Sequence, residues 1–202
     1  MAPSPFSKQL RDWLKSHEPK TLEHLSGTFQ EKGFAVLFLL LMAIPALPLP
    51  TGGVTHIFEV ITMLLAMELI IGRRTLWLPE RWHKLKISGA TQTKAIPYLI
   101  RRVRWFEKYA RPRLSELLTH PLFLRLTGTI IFLLTLGAFL APPFSGLDTL
   151  PAMGVVLISL SLILEDAALF LLGLLVGAIG VGLEIGLSSV AFHLISSNFP
   201  SG

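Results

Sequence analysis

The chain has 202 residues, of which 51% are hydrophobic and only 15% charged, with a mean hydropathy of +0.61. That balance does not describe a soluble domain, so the bilayer is the environment to which the composition points. No cysteine is present, which excludes disulfides, thiolate metal sites and a cysteine nucleophile.

Residues 1 to 32 are polar and mixed in charge, with Phe6, Leu10, Trp13 and Leu14 at helical spacing opposite Lys8, Arg11 and Lys15. The pattern predicts an amphipathic helix, lying on a membrane surface or packed on its own protein. The first apolar run begins only at Gly33, after Glu31 and Lys32 and without a clear small-residue cleavage site. A cleavable signal is therefore not expected, and the N-terminus is expected on the inner side.

Residues 33 to 79 read as a first membrane unit. From Gly33 to Phe58 there is no Asp, Glu, Lys or Arg, and roughly 20 such residues suffice to cross the hydrocarbon. A helix is expected from Phe34 to Ile44 and another from about Ile57 to Ile71. Between them Pro45, Pro48 and Pro50, followed by Gly52 and Gly53, break any single span, because each proline lacks an amide donor and clashes with the preceding turn. Residues 34 to 44 would cover about 16 Å, near half the hydrocarbon, so the pair reads as a re-entrant hairpin or as two tilted spans. Either version returns the chain to its starting side.

Positive charge collects in the central segment. Residues 73 to 113 hold 12 of the 18 Lys and Arg against Glu80 and Glu107, a net +10, whereas residues 126 to 202 hold four acids and no Lys or Arg. A nucleic-acid binder would not normally set a basic patch between two lipid-compatible halves, so no nucleic acid is expected as partner, and the positive-inside rule puts this segment in the cytoplasm. The linker, residues 80 to 125, interleaves its basic residues with Trp82, Tyr98, Trp105, Phe106 and Tyr109. Such a segment suits the headgroup level, where each Lys or Arg near anionic lipid contributes about 1 kcal/mol.

Residues 126 to 199 read as a second membrane unit that repeats the first. At an offset of 94, Phe132, Leu133 and Leu134 fall on Phe38, Leu39 and Leu40, and Pro142, Ser145 and Gly146 on Pro48, Thr51 and Gly52; Pro143 adds to the second break. After a one-residue slip, Leu162, Ile163 and Leu164 fall on Leu69, Ile70 and Ile71. The order of helix, Pro/Gly break, helix and charged pair is what carries the repeat. At its end the charge changes sign, Arg73 and Arg74 in the first copy against Glu165 and Asp166 in the second. These opposite charges could meet across the repeat axis, or the arginines could reach lipid phosphates while the acids end a helix. The last apolar stretch, Ala167 to Ile195, carries the close-packing pairs Gly173 with Gly177 and Gly182 with Gly186, which serve packing within the chain or a homodimer.

The sequence Ile71, Gly72, Arg73, Arg74, with Trp77, Leu78 and Pro79 after it, resembles the exopolysaccharide synthesis ExoD family, and Glu165 with Asp166 is similar to that family's acidic motif. The resemblance runs from about residue 5 to residue 195, with departures at Ala167 and at the turn of Val54, Thr55 and His56. It implies a multi-pass inner-membrane protein needed for exopolysaccharide production, working beside the polysaccharide-synthesis machinery. It carries over no catalytic residue.

The six histidines form no His-Glu-x-x-His motif, Gly52 and Gly53 lack the spacing of a phosphate loop, and Ser188 and Ser189 have only His193 nearby. No enzyme activity, metal or cofactor is expected. What remains are ionisable groups in apolar surroundings: His56 and Glu59 on one helical face, then Glu68, Asp148, Glu165, Asp166 and Glu184. Desolvated carboxyls exchange protons near neutral pH, as in proton relays and coupled transporters; alternatively each one pairs with an arginine of the central segment or meets water. The expected fold is an all-α integral membrane protein of two repeated broken-helix hairpins with interfacial amphipathic helices. Its expected role is an accessory or transport component of exopolysaccharide synthesis or export. A small proton- or cation-coupled transporter affecting pH tolerance and a non-transporting scaffold for a polymerase complex are the competing readings.

Overall fold

The computed structural model describes residues 5–16, 32–47, 55–73, 96–142 and 145–198. Arg74, Pro48, Pro50, Gly52, Gly53 and Pro143, together with the basic stretch between residues 74 and 95, lie outside the described residues. Eight helices make up the described architecture: α1 (Phe6–Lys15), α2 (Gly33–Met42), α3 (Thr55–Ile71), α4 (Ile96–Tyr109), α5 (Ser115–Thr119), α6 (Pro121–Leu140), α7 (Thr149–Leu164) and α8 (Ala167–Asn198).

The all-helical expectation holds among these residues, and α6 and α8 are long and apolar enough to cross a membrane. Several helices also expose apolar stripes. On α3 the outward stripe is Ile57, Val60, Leu64, Met67 and Ile71, while the buried face combines Ile61, Leu65, Ala66 and Leu69 with Thr55, Glu59 and Thr62. On α8, Leu171, Leu175, Ile179 and Leu183 face outward, and Gly173, Gly177, Gly180 and Glu184 face inward. Exposed apolar stripes of this kind are faces that suit lipid or a partner surface. By contrast α2 is apolar all round and buried at nearly every position, the pattern of a helix enclosed by others.

The helices pack as antiparallel pairs. α3 lies along α6, with an added Cβ at Gly128 only 3.1 Å from the Ala66 carbonyl oxygen and the His56 and Phe139 rings 5.1 Å apart. α7 lies along α8 so closely that a Cβ on Gly154 would fall 2.6 Å from the Gly177 Cα. α2 packs against both α7 and α3. Gly173 and Gly177 therefore serve packing within the chain, while Gly182 and Gly186 have nothing within 4 Å of an added Cβ.

The amphipathic helix expected near the N-terminus is α1, and its stripe is turned onto protein: Phe6, Leu10 and Trp13 are buried and α1 packs on α4. The Glu107 carboxylate of α4 accepts hydrogen bonds from the Ser7 backbone N–H, at 2.7 Å, and from the Ser7 hydroxyl, holding an anion at the first turn of α1 where the helix dipole favours it. Helix α6 begins at Pro121. Proline suits the first helical position, and the His120 side chain accepts the Leu122 N–H at 3.3 Å.

Candidate functional site

Two polar groups of opposite character occupy opposite parts of the bundle. The first is a clasp at the end where α2, α6 and α8 begin and α3 and α7 finish. α7 ends at Glu165, whose backbone takes a left-handed turn with φ of +58°, and Asp166 starts α8 after it. The Asp166 carboxylate accepts the Ala168 N–H at 2.9 Å, a helix cap, and the Arg111 N–H at 3.0 Å. A short backbone bridge reinforces it, with the Arg113 N–H donating to the Glu165 carbonyl at 2.9 Å. Lys32 closes the clasp: its Nζ lies 2.8 Å from Glu165 Oε1 and donates to the Ile163 carbonyl at 2.8 Å.

Asp166 thus acts through backbone groups, and Glu165 takes its cation from the start of α2. Arg73 is exposed and follows the C-terminal end of α3, where Gly72 adopts a φ of +87°. The Arg125 guanidinium lies against Gly72, within 2.6 Å of where a Cβ would stand. Lys32, Arg73, Arg125, Arg111 and Arg113 consequently share one end of the molecule. Glu68, one turn before Arg73, is half-buried in the same region.

The second group lies toward the other end, in a part of the bundle with no Lys or Arg, since residues 33 to 72 and 126 to 202 contain none. His56 Nδ1 stands 2.7 Å from Glu59 Oε2, and the Glu59 side chain is fully buried. The i, i+3 spacing on one turn of α3 made this pair expected. The structure adds Glu184 of α8, which is 7% exposed, and Asp148, which precedes α7. Glu184 approaches α6, one of its oxygens lying 3.3 Å from a Cβ placed on Gly137. Asp148 and Glu59 lie within electrostatic range of Glu184, and Asp148 within range of Glu59. Three carboxyls and one imidazole from α3, α8 and the turn before α7 therefore gather in one polar unit, in which His56 and Glu59 are in direct contact.

That unit is under-satisfied. Among the described residues, Oε1 of Glu59, Oε1 of Glu184, and the hydroxyls of Thr62 and Thr135 are buried without a hydrogen-bond partner. The α3–α6 register, which sets Ala66 and Ile70 against Gly128 and His56 against Phe139, brings Thr62 level with Thr135. Buried polar atoms are normally paired, so unpaired ones concentrated in one layer make this the candidate functional site. No group of three or more His, Asp or Glu among the described residues has the geometry to hold a metal ion. Sequence reasoning found the four members as isolated charges; their meeting depends on helix register, which apolar periodicity does not encode.

The described first break, Pro45 to Leu47, continues α2 as turns. The second, at Pro142 and Gly146, is exposed, and Gly146 has a φ of +70° with open space around it.

The exopolysaccharide synthesis ExoD family model matches residues 6–185. Protein ExoD of Rhizobium meliloti is 30% identical over 149 residues, covering 72% of this chain and 61% of that protein. An uncharacterized protein of Synechocystis sp. is 27% identical over 179 residues, covering 86% of this chain and 79% of that one. No solved structure gives a significant match.

Proposed function

This chain belongs to the exopolysaccharide synthesis ExoD family, and we propose that it is a multi-pass inner-membrane protein that supports exopolysaccharide synthesis or export by moving protons or small cations through its carboxylate layer. The observation that carries this reading is the gathering of buried Glu59 and Glu184 with half-buried His56 and Asp148, in a part of the bundle whose helices carry no Lys or Arg. Carboxylates in such a place must be neutralised by a proton or a passing cation, because no basic side chain but His56 is at hand.

The exposed apolar stripes of α3 and α8 support the membrane reading, and the gathering of Lys32, Arg73, Arg111, Arg113 and Arg125 at one end supports a cytoplasmic orientation for that end. Two features support the internal repeat. The bounds of α7 are those of α3 displaced by 93 to 94 positions, and the first helix of each unit packs on the second helix of the other. Broken helices in paired halves are where transporters place their binding sites.

The reading is tested by reconstituting the purified chain in liposomes with a trapped pH dye and imposing proton and cation gradients. Gradient-driven flux that disappears in Glu59→Gln and Glu184→Gln supports it. Absence of flux together with copurification of polysaccharide enzymes would replace it with the scaffold reading.

A further inference from the structure

Away from the carboxylate layer, α1 and α4 flank an open cavity of about 340 Å³ whose rim holds four cations: Arg11 and Lys15 from α1, Arg101 and Arg104 from α4. Leu14, Pro97 and Ile100 supply its apolar lining. Arg11 is half-buried and the other three are exposed. None of the four forms an ion pair among the described residues. Glu107, the one acid of α4, is already held by Ser7, and Asp12 of α1 is exposed and does not line the cavity.

Four like charges around one cavity create a positive potential that favours an anion, and arginine's planar fork matches the oxygens of a phosphate. The apolar lining excludes a simple inorganic anion as the best occupant, because it would strip water from one side of the ion and return no contact. A phosphate ester whose other end is hydrocarbon satisfies both surfaces. The cavity's volume, at the lower end of the range for small-molecule sites, accommodates a headgroup and leaves the tails outside. Trp105 and Tyr109, exposed on α4 beside these arginines, have the amphipathic character of side chains at the headgroup level.

We propose that the α1–α4 cavity is a binding site for the phosphate headgroup of an anionic phospholipid, held by Arg11, Lys15, Arg101 and Arg104 with its proximal hydrocarbon on Leu14 and Ile100. The site clamps the N-terminal helix to the membrane through a bound lipid, where diffuse surface attraction would clamp it through no particular molecule. It is independent of whether the carboxylate layer moves protons.

The test uses the full chain purified in a neutral detergent and three probes: dioctanoyl phosphatidylglycerol, dioctanoyl phosphatidylcholine and inorganic phosphate, with binding read by native mass spectrometry and calorimetry. One phosphatidylglycerol per chain is expected, bound at least about tenfold more tightly than phosphatidylcholine, given the contribution of each basic residue near an anionic headgroup. The triple variant Arg11→Gln, Arg101→Gln, Arg104→Gln should lose that preference, and the corresponding triple Lys variant should keep most of it. Lys8→Gln, exposed one turn before Arg11 on the same face of α1 but outside the cavity lining, should keep the preference for phosphatidylglycerol. Equal binding of the two lipids overturns the proposal, even if the Gln variant fails to fold. Displacement by inorganic phosphate at the same concentration as by phosphatidylglycerol overturns it too, since the hydrocarbon would then contribute nothing.

Discussion

Lys32 and Glu165 are 133 residues apart in the chain and 2.8 Å apart in space, joining the start of α2 to the end of α7. With 41% and 31% of their side chains exposed, the attraction is screened and belongs to the surface class, about 0.2 to 1 kcal/mol. Lys32→Met and Glu165→Gln should each lower the thermal midpoint only slightly, and a double-mutant cycle should return a coupling within that range. A coupling several-fold larger would mean that the clasp is drier than its exposure indicates.

Asp166 should matter more than either partner of that ion pair. Its two oxygens accept backbone N–H groups from two separate segments, Ala168 within its own helix and Arg111 beyond α4. Asp166→Ala removes a cap, about 1 kcal/mol, and leaves the Arg111 amide without its partner, for a total of roughly 2 to 3 kcal/mol. Asp166→Asn keeps one strong acceptor and should lose about half as much. Thermal unfolding in detergent orders the two variants. Equal losses would point to the charge itself instead of the hydrogen bonds.

The helical class, the breaks and the basic end were legible in the sequence because each rests on local chemistry: apolar length, prolines and the placement of Lys and Arg. His56 with Glu59 was legible for the same reason, being one turn of one helix. Asp148 and Glu184 were visible as lone charges, but only the register of α3 on α6 and of α7 on α8 brings them to Glu59. The reading that set Arg73 and Arg74 against Glu165 and Asp166 rested on repeat alignment. In the structure Glu165 meets Lys32, a residue in front of the repeat, because the end of α7 and the start of α2 are brought together by antiparallel packing, while Arg74 lies outside the described residues. Nothing in the linear pattern of residues 96 to 104 announced that Arg101 and Arg104 would converge with Arg11 and Lys15 of α1.

Glu59 should show activity and stability pulling in opposite directions. A fully buried carboxyl with one oxygen unpartnered is an expensive group to keep in a helix core, and function is the usual reason for retaining one. Glu59→Gln should leave the thermal midpoint unchanged or raise it, while gradient-driven proton or cation movement falls to the level of empty liposomes. His56→Phe, which keeps the ring contact with Phe139, should reduce flux without abolishing it. If Glu59→Gln destabilises by about 2 kcal/mol or more and flux persists, the carboxylate layer is a structural network.

The glycines of α8 divide into two sets that should respond oppositely to alanine. Gly173 and Gly177 press on α7 and α6, with an added Cβ meeting the Ile158 backbone nitrogen at 2.8 Å or the Leu134 side chain at 2.7 Å. Gly154→Ala from the other side would meet the Gly177 backbone at 2.6 Å. Backbone cannot yield as a flexible side chain can, so Gly154→Ala and Gly173→Ala should cost at least about 1 to 3 kcal/mol, and Gly177→Ala, which meets a leucine, somewhat less. Gly182→Ala and Gly186→Ala enter open space and should be neutral or stabilising by up to about 1 kcal/mol through helix propensity. That holds for the single chain. A homodimer that used the Gly182 and Gly186 face would need the absent side chains there, because small residues let two backbones approach. Gly182→Ile with Gly186→Ile should then shift the protein from dimer to monomer in light scattering of the detergent complex, with thermal stability retained. An oligomeric state unchanged by this pair of substitutions assigns the Gly182 and Gly186 face to lipid.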